Sequence, residues 1–148
     1  MRKKVSRALA RFLTGFNCAQ SILSIYGPKY GVNQKRALKL ATGFGSGIAQ
    51  MGDICGAVAG SLMVIGLKYG RSKINDRESK PLTYELIRKF IDRFEERNKT
   101  IKCKELIGCD LDTAEGRKHA EAHNLFHTVC PKLVQDAAEI LEEILLEN

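Results

Sequence analysis

Residues 43–70 read GFGSGIAQMGDICGAVAGSLMVIGLKYG, and this glycine-rich apolar stretch decides the predicted fold. It contains most of the chain's 13 glycines and one central cysteine, Cys55. Gly52, Gly56 and Gly60 recur every four residues, so they share one face of a helix predicted over residues 49–69. Each interior glycine costs a helix about 1 kcal/mol relative to alanine. That smooth face therefore predicts close approach by another backbone or by a bound group.

The apolar part of this stretch is too short to cross a bilayer. It runs over 14 residues, from Ile54 to Leu67, whereas a membrane-spanning helix needs about 20. We therefore expect a buried core helix and a protein that is not transmembrane. The glycines at 43, 45 and 47 do not have the GxGxxG spacing of a nucleotide-binding loop, and no predicted strand precedes them. A turn leading into the central helix is the simpler interpretation.

The rest of the chain shows helical periodicity, and no long run alternates apolar with polar residues. Apolar stripes and end signals predict further helices at 3–26, 33–42, 81–98, 101–107, 112–129 and 131–147. At 148 residues the chain is long enough to bury a core of its own. The prediction is an all-α, compact, single-domain bundle of about five to seven helices over residues 1–148, around the central glycine-rich helix.

The net charge of +7 is unevenly distributed along the chain. Residues 1–52 contain nine Lys or Arg and no acidic residue; Asp53 is the first. A basic half can attract nucleic acid or an anionic membrane. It can equally be a helical face that meets the acidic C-terminal helix or a partner subunit. No interleaved aromatic residues or recognition motif accompany the charge, so nucleic-acid binding is not favoured.

Five cysteines, at positions 18, 55, 103, 109 and 130, are many for a chain of this size. Their number is odd and no secretory signal is visible, which predicts a reducing, cytoplasmic location. The Arg-rich N-terminus is similar to a transit peptide, but its helix is predicted to continue into Cys18 as part of the domain. A reducing compartment favours metal ligation or redox thiols over structural disulfides.

The cysteines differ in their predicted local settings. Cys130 precedes Pro131 near the start of the last helix, where unpaired amides and the helix dipole lower a thiol's pKa. Cys103, in the first turn of a short helix, gains a weaker form of the same effect. Cys18 and Cys55 are predicted inside helices, without that help. There is no CxxC pair, so a zinc ribbon or a thioredoxin-like site is not expected. The alternative is that the cysteines are small apolar core residues.

Two other groups of residues could contribute to such a site. His119, His123 and His127 are spaced four apart, and on a helix the pair His123 and His127 could bind a metal. The alternative is an exposed histidine face. Asp53 is the only acidic residue near Cys55, and we expect it to cap the central helix rather than to act as a partner of the cysteine.

Four ordered segments carry a resemblance to a known family. They are NCAQSIL at 17–23, GDICGAVAGSLMVIGLKYG at 52–70, CKELIGCDL at 103–111, and Cys130 before the final helix. Together they resemble the redox-active family named for its cysteine pattern, C_GCAxxG_C_C, a module related to one in split-Soret cytochromes. The order around Cys55 differs from the family's hexapeptide, because Gly56 follows the cysteine here.

The resemblance implies a bacterial or archaeal cytoplasmic protein with a redox or metal-binding role. It implies that Cys18, Cys55, Cys103 and Cys130 are the cofactor- or metal-binding residues, with Gly56 and Gly60 beside them, while Cys109 lies outside the pattern. Four thiolates suit an iron–sulfur cluster or zinc.

Two hypotheses of function remain open at this stage. In the first, the four cysteines converge from separate helices, and any activity is thiol- or metal-centred oxidoreduction with an unknown redox partner. In the thiol form of this hypothesis, Cys130 attacks and a second cysteine, with Cys103 as a candidate, resolves the bond. In the second, the chain is an interaction module whose glycine face packs on a partner or on a second subunit of a homodimer, and the cysteines are core residues.

Overall fold

The computed structural model describes residues 2–148, and the regular elements in this range are helices. They are α1 Arg2–Leu13, α2 Cys18–Tyr26, α3 Gln34–Ala41, α4 Gly56–Tyr69, α5 Ser79–Asn98, α6 Cys103–Ile107, α7 Ala114–Ala122, α8 Leu125–Thr128 and α9 Cys130–Glu147. Short 3₁₀ turns lie at Pro28–Tyr30 and Thr42–Phe44. The all-α prediction is confirmed. There are more helices than the predicted five to seven because two of the predicted helices are each broken in two.

Helix α4 is the central element, as its apolar sequence predicts. It packs against α2, α5 and α9, while α1 lies across α2 and α9. Side chains such as Val58 and Ile65 of α4 and Ile140 of α9 are fully buried in the core between these helices. Within residues 2–148 we find no helix that combines the length and the apolar character needed to cross a membrane.

The chain between α1 and α2 contains a break that the sequence analysis missed. A single helix over residues 3–26 was predicted, but Gly15 has a φ of 120°, which a continuing helix does not allow. Asn17 then caps α2: its side chain accepts from the Gln20 amide at 2.8 Å, and the Gln20 side chain accepts from the Asn17 amide at 3.0 Å. This reciprocal capping box makes Cys18 the first residue of a helix.

The central helix begins at Gly56 and not near residue 49 as predicted. The preceding residues form a left-handed turn, with positive φ at Ser46 (53°), Gly47 (71°), Ile48 (67°), Ala49 (48°) and Gln50 (68°). Gly52 also has a positive φ, of 72°, so it lies on this loop and not on the helix face.

The glycine face of α4 is therefore formed by Gly56 and Gly60, and helix α2 covers it. A Cβ atom at Gly60 would lie 2.9 Å from the Ala19 carbonyl oxygen, and one at Gly56 would lie 3.1 Å from the Ala19 nitrogen. The close approach predicted from the glycine spacing is thus made by a backbone of the same chain. The alternative in which this face packs on a partner or a second subunit was wrong, because α2 already occupies it.

The predicted helix over residues 112–129 is also broken. Thr113 caps α7, and its side chain accepts from the Gly116 amide at 2.9 Å. The helix ends at Ala122, and Asn124 adopts a left-handed φ of 54° before α8 begins. His123 and His127 therefore do not lie one turn apart on a continuous helix.

The acidic face of α9 meets basic residues of α5. Arg93 contacts Glu143 at 3.1 Å and Glu147 at 3.0 Å, and Arg97 contacts Asp136 at 3.2 Å. One expectation was that the basic residues of 1–52 meet the acidic C-terminal helix. In these pairs the basic residues come from α5 instead. Because the pairs form a network between two helices, they fix how α5 and α9 lie against each other.

Candidate thiol site

Four of the five cysteines stand at the beginning of a helix. Cys18, Cys103 and Cys130 are the first residues of α2, α6 and α9, and Cys55 is the residue that caps α4. The prediction that Cys18 and Cys55 lie inside helices was wrong, because both helices start later than expected. The first amides of a helix have no intrahelical acceptor, so a helix start favours a negatively charged group.

These four cysteines line a single cavity of about 230 Å³. Its apolar wall is made by Phe12, Phe16, Ile107, Phe126 and Leu133. The polar groups are the four thiols together with Asn17, Ser46 and His127, and Gly15 and Gly56 complete the wall. In the part of the chain that the structure describes, no Asp, Glu, Lys or Arg side chain lines this cavity. Segments far apart in sequence thus bring four thiols to one small apolar space.

The thiols are free but buried. The exposed fraction is 9% for Cys18, 3% for Cys55, 8% for Cys103 and 6% for Cys130. A reagent in solution therefore reaches the sulfurs chiefly through the cavity.

Cys18 and Cys130 form a hydrogen-bonded pair with opposite effects on their pKa values. The bond raises the pKa of Cys18 well above its ordinary value, and burial and the neighbouring thiols raise it further. The same bond lowers the pKa of Cys130, against the effect of burial. Cys18 is therefore the proton donor, and Cys130 is the thiol that ionises first.

Cys55 and Cys103 are held in their protonated forms. Burial raises the pKa of Cys55 to about 11, although the amides of Val58 and Ala57 at the start of α4 partly oppose this rise. Burial raises the pKa of Cys103 to about 12, and charge on Cys55 or Cys130 adds to the effect. One cavity thus contains one thiol whose pKa is lowered and three whose pKa values are raised.

Cys109 does not line the cavity. It is half-buried and follows Gly108, whose φ of 77° ends α6. Burial and the adjacent Asp110 raise the pKa of its thiol. Its position agrees with the sequence pattern, in which it stands apart from the other four.

The two histidines proposed as metal ligands lie in different places. Both are exposed, and only His127 lines the cavity. His123 has Nδ1 3.0 Å from the His119 carbonyl oxygen, and its ring is 4.1 Å from the His119 ring. Among residues 2–148, no three or more His, Cys, Asp or Glu side chains are grouped so that they could hold a metal ion.

Asp53 does not cap α4, as had been predicted, because Cys55 occupies the capping position. Its carboxylate pairs with Lys102 at 2.8 Å, which lowers the pKa of Asp53. Its carbonyl oxygen accepts from the Cys103 amide at 2.6 Å, and the Cys55 amide donates to the Ile101 carbonyl oxygen at 2.7 Å. These bonds tie the segment before α4 to the start of α6 and so hold Cys55 near Cys103.

Of the two glycines assigned to the site, only Gly56 lines the cavity. Gly60 lies one turn further along α4 and packs against Ala19 and Ile22 of α2. Ser46, Phe12, Phe16 and Phe126 were not predicted as site residues. No local pattern marks them, because the breaks at Gly15 and Asn124 and the left-handed turn bring them to the cavity.

The fold and the cavity together define an all-helical protein with a buried thiol cluster. A family model described as "Putative redox-active protein (C_GCAxxG_C_C)" matches residues 16–144, which include all five cysteines. The chain belongs to this redox-active family. No curated protein and no solved structure matches it.

Proposed function

We propose that the chain is a thiol-based redox protein in which Cys18 and Cys130 cycle between a dithiol and a disulfide. The observation that carries the proposal is the convergence of these two buried thiols, from the starts of α2 and α9, on one cavity. A side-chain hydrogen bond between them shifts their pKa values in opposite directions, which supports it. Membership of the redox-active family supports the general class. A thiolate is the nucleophile in disulfide exchange, and the lowered pKa of Cys130 makes it the attacking residue.

The exchange proceeds in two steps that balance. The Cys130 thiolate attacks one sulfur of a substrate disulfide, forms a mixed disulfide and releases the first substrate thiol, which takes up a proton. Cys18 then loses its proton and attacks the Cys130 sulfur, which releases the second substrate thiol. The Cys18–Cys130 dithiol is oxidised by two electrons, and the substrate disulfide is reduced to two thiols.

The order of attack follows from the hydrogen bond. While Cys130 is a thiolate, Cys18 keeps its proton because it donates that bond. Once Cys130 is bound in the mixed disulfide, its negative charge no longer raises the pKa of Cys18. Cys18 can then ionise next to the bond that it must break. An external dithiol is the reductant that returns the protein to its starting state.

Mapping of the first disulfide tests this proposal. The reduced protein is treated with bis(2-hydroxyethyl) disulfide, its remaining thiols are alkylated in denaturant, and its peptides are analysed by mass spectrometry. We expect a link between Cys18 and Cys130, formed equally well in the variant Cys109→Ser. A first link between Cys55 and Cys103, or no link within the protein, contradicts the proposal.

A second candidate function is metal binding by the same residues, and the convergence of four cysteines on one cavity favours it. The donor set of Cys18, Cys55, Cys103 and Cys130 suits zinc or an iron–sulfur cluster chemically, and four helix starts favour negative charge. The thiols would have to draw together, since they are not grouped as ligands in the described chain. A bound zinc would stabilise the fold, and a bound iron–sulfur cluster would transfer single electrons.

Anaerobic reconstitution tests the metal candidate. The reduced protein is incubated with iron and sulfide, or separately with zinc, and is desalted before metal analysis and absorbance spectroscopy. A site of four cysteines predicts stoichiometric metal that is lost in Cys55→Ser and retained in Cys109→Ser. A colourless, metal-free protein after both treatments rules this candidate out.

A further inference from the structure

We propose that the cavity selects small, uncharged disulfides as the substrates of the thiol pair. This inference rests on the proposed redox function, and it concerns which disulfides can reach Cys130. The size of the cavity, the burial of the sulfurs and the absence of Asp, Glu, Lys and Arg of residues 2–148 from its wall carry it.

The volume of the cavity is the first property that restricts which disulfides can enter. The cavity has a volume of about 230 Å³, and an apolar cavity of ~150 Å³ is enough to hold benzene. It therefore has room for a small molecule that is a few atoms larger than benzene. A disulfide on the surface of a folded protein carries backbone and neighbouring side chains on both sides, and these do not fit into such a space.

Burial makes this limit effective. Cys130 is 6% exposed and Cys18 is 9% exposed, so their sulfurs do not stand on a surface where a protein disulfide could dock. Attack on a disulfide requires the thiolate sulfur to approach one substrate sulfur directly. The substrate sulfur must therefore enter the cavity, whereas the Cys130 sulfur need not leave it.

The lack of Asp, Glu, Lys and Arg of the described chain in the cavity wall is the second property that restricts which disulfides can enter. The apolar part of the wall consists of three phenylalanine rings with Ile107 and Leu133, and its polar side chains besides the thiols are Asn17, Ser46 and His127. No Asp, Glu, Lys or Arg of the described chain lines it. Burying an ion without a partner is costly. A cationic substrate finds no carboxylate in the wall, and the one anion that it meets, the Cys130 thiolate, loses its charge when it forms the mixed disulfide. An anionic substrate finds no Lys or Arg side chain, only the His127 imidazole, and meets the Cys130 thiolate. An uncharged disulfide avoids both costs.

The experiment compares disulfides of similar size and different charge. The reduced protein reacts at about pH 8, under stopped flow, with bis(2-hydroxyethyl) disulfide (uncharged), cystamine (cationic), dithiodiglycolate (anionic) and insulin as a protein disulfide. Each rate is divided by the rate for free 2-mercaptoethanol with the same disulfide. We expect the normalised rate for the uncharged compound to exceed those for the others at least tenfold.

A wall variant gives a second, independent measurement. Phe126→Lys places an ammonium group at the cavity, and we expect it to raise the normalised rate for dithiodiglycolate relative to the uncharged compound at least fivefold. The matched control is Tyr84→Lys on the exposed face of α5, which should leave the ratio unchanged. Circular dichroism establishes that both variants are folded.

The outcomes separate this inference from the function on which it rests. Normalised rates that are equal across the four disulfides, or fastest for insulin, overturn the size and charge selection but leave the redox function standing. If no disulfide is reduced and no Cys18–Cys130 link forms, the redox function and the inference fail together.

Discussion

Two cysteines at the starts of α2 and α9 show how position alone can make identical side chains different. Cys18 and Cys130 share one hydrogen bond, and that bond raises one pKa and lowers the other. Neither effect depends on an Asp, Glu, Lys or Arg side chain, since within the described chain none lines the cavity. The reactivity of Cys130 is therefore tied to the presence of the Cys18 thiol.

Removal of the Cys18 hydrogen bond should raise the pKa of Cys130. In Cys18→Ala, burial remains and the opposing hydrogen bond is lost, so the pH profile of Cys130 alkylation should move to higher pH. The rate of iodoacetamide labelling, followed site by site with mass spectrometry across the pH range, measures the shift.

The control for this measurement is Cys109→Ala, which removes a thiol outside the cavity and should leave the profile of Cys130 unchanged. A Cys18→Ala profile that coincides with the wild type would show that the pair does not set the reactivity of Cys130.

At the scale of single elements, the packing of α4 requires glycine at two positions and does not require it at a third. Gly56 and Gly60 let the backbone of α2 approach closely, whereas a Cβ at Gly66 would have no atom within 4 Å. The same residue type on the same helix thus has two different physical roles. Helix propensity opposes all three glycines, and only the contact with α2 offsets it at the first two.

Alanine substitutions should separate these roles. Gly60→Ala places a Cβ 2.9 Å from the Ala19 carbonyl oxygen, and we expect it to lower the free energy of unfolding by about 1–3 kcal/mol. Gly66→Ala, the matched control, should raise it by up to about 1 kcal/mol through helix propensity. Urea denaturation of the two variants measures both changes, and equal effects would contradict this account of the glycine face.

The left-handed turn before α4 is the second element with an unusual conformation. Ser46, Ile48, Ala49 and Gln50 all have positive φ, which costs residues other than glycine roughly 1–2 kcal/mol each. Backbone bonds hold the turn, including those from Ala49 to Gly43 at 2.9 Å and from Asp53 to Gly47 at 2.8 Å. The turn places Ser46 in the cavity wall and leads the chain to Cys55.

Glycine at an exposed position of this turn should stabilise the protein. Ala49→Gly relieves the strain at a φ of 48° and removes little buried surface, so we expect a gain of about 1 kcal/mol in the free energy of unfolding. The control is Ala10→Gly, exposed in α1, which should lose about 1 kcal/mol. Denaturation midpoints report both, and a loss in Ala49→Gly would mean that the turn is not strained.

At the scale of the whole molecule, the buried thiols couple stability to pH. The pKa of Cys55 is raised to about 11 in the folded protein, whereas an unfolded thiol ionises near its ordinary value of about 9. Between these values the unfolded state loses its proton and the folded state does not, so rising pH favours unfolding. The contribution of Cys55 is fully present below about pH 9 and is lost as pH approaches about 11.

A serine at position 55 should make stability less dependent on pH in this range. Cys55→Ser places a residue that is favoured at helix N-caps at the start of α4, and serine does not titrate in this range. Relative to the wild type, we expect the variant to gain roughly 2–3 kcal/mol in the free energy of unfolding between about pH 8 and about pH 11. Urea titrations across that range measure it, and parallel pH profiles of the two proteins would show that Cys55 is not buried as a thiol.

The amino-acid sequence by itself determined the helical class, the central helix and the close approach at its glycines. These follow from local periodicity and from the steric properties of glycine, which need no knowledge of distant residues. The predicted helix boundaries at residues 26, 33 and 112 lie within one residue of the caps Gly27, Asn33 and Thr113, because capping acts over three or four positions. The four cysteines of the family pattern could be identified from the sequence because the pattern depends only on their order along the chain.

The tertiary structure decided where the helices break, and with that the character of the site. Apolar periodicity continues across Gly15 and into the segment before Gly56, so local pattern predicted unbroken helices. Instead, the Asn17 capping box starts a new helix at Cys18, and backbone bonds between residues 52–55 and 101–104 hold the segment that leads to the helix start at Gly56. Those breaks place four cysteines at helix starts around one cavity and pair Cys18 with Cys130. Cys18 and Cys130 are more than 100 positions apart in the sequence, and the geometry of their contact is set only when the helices pack together.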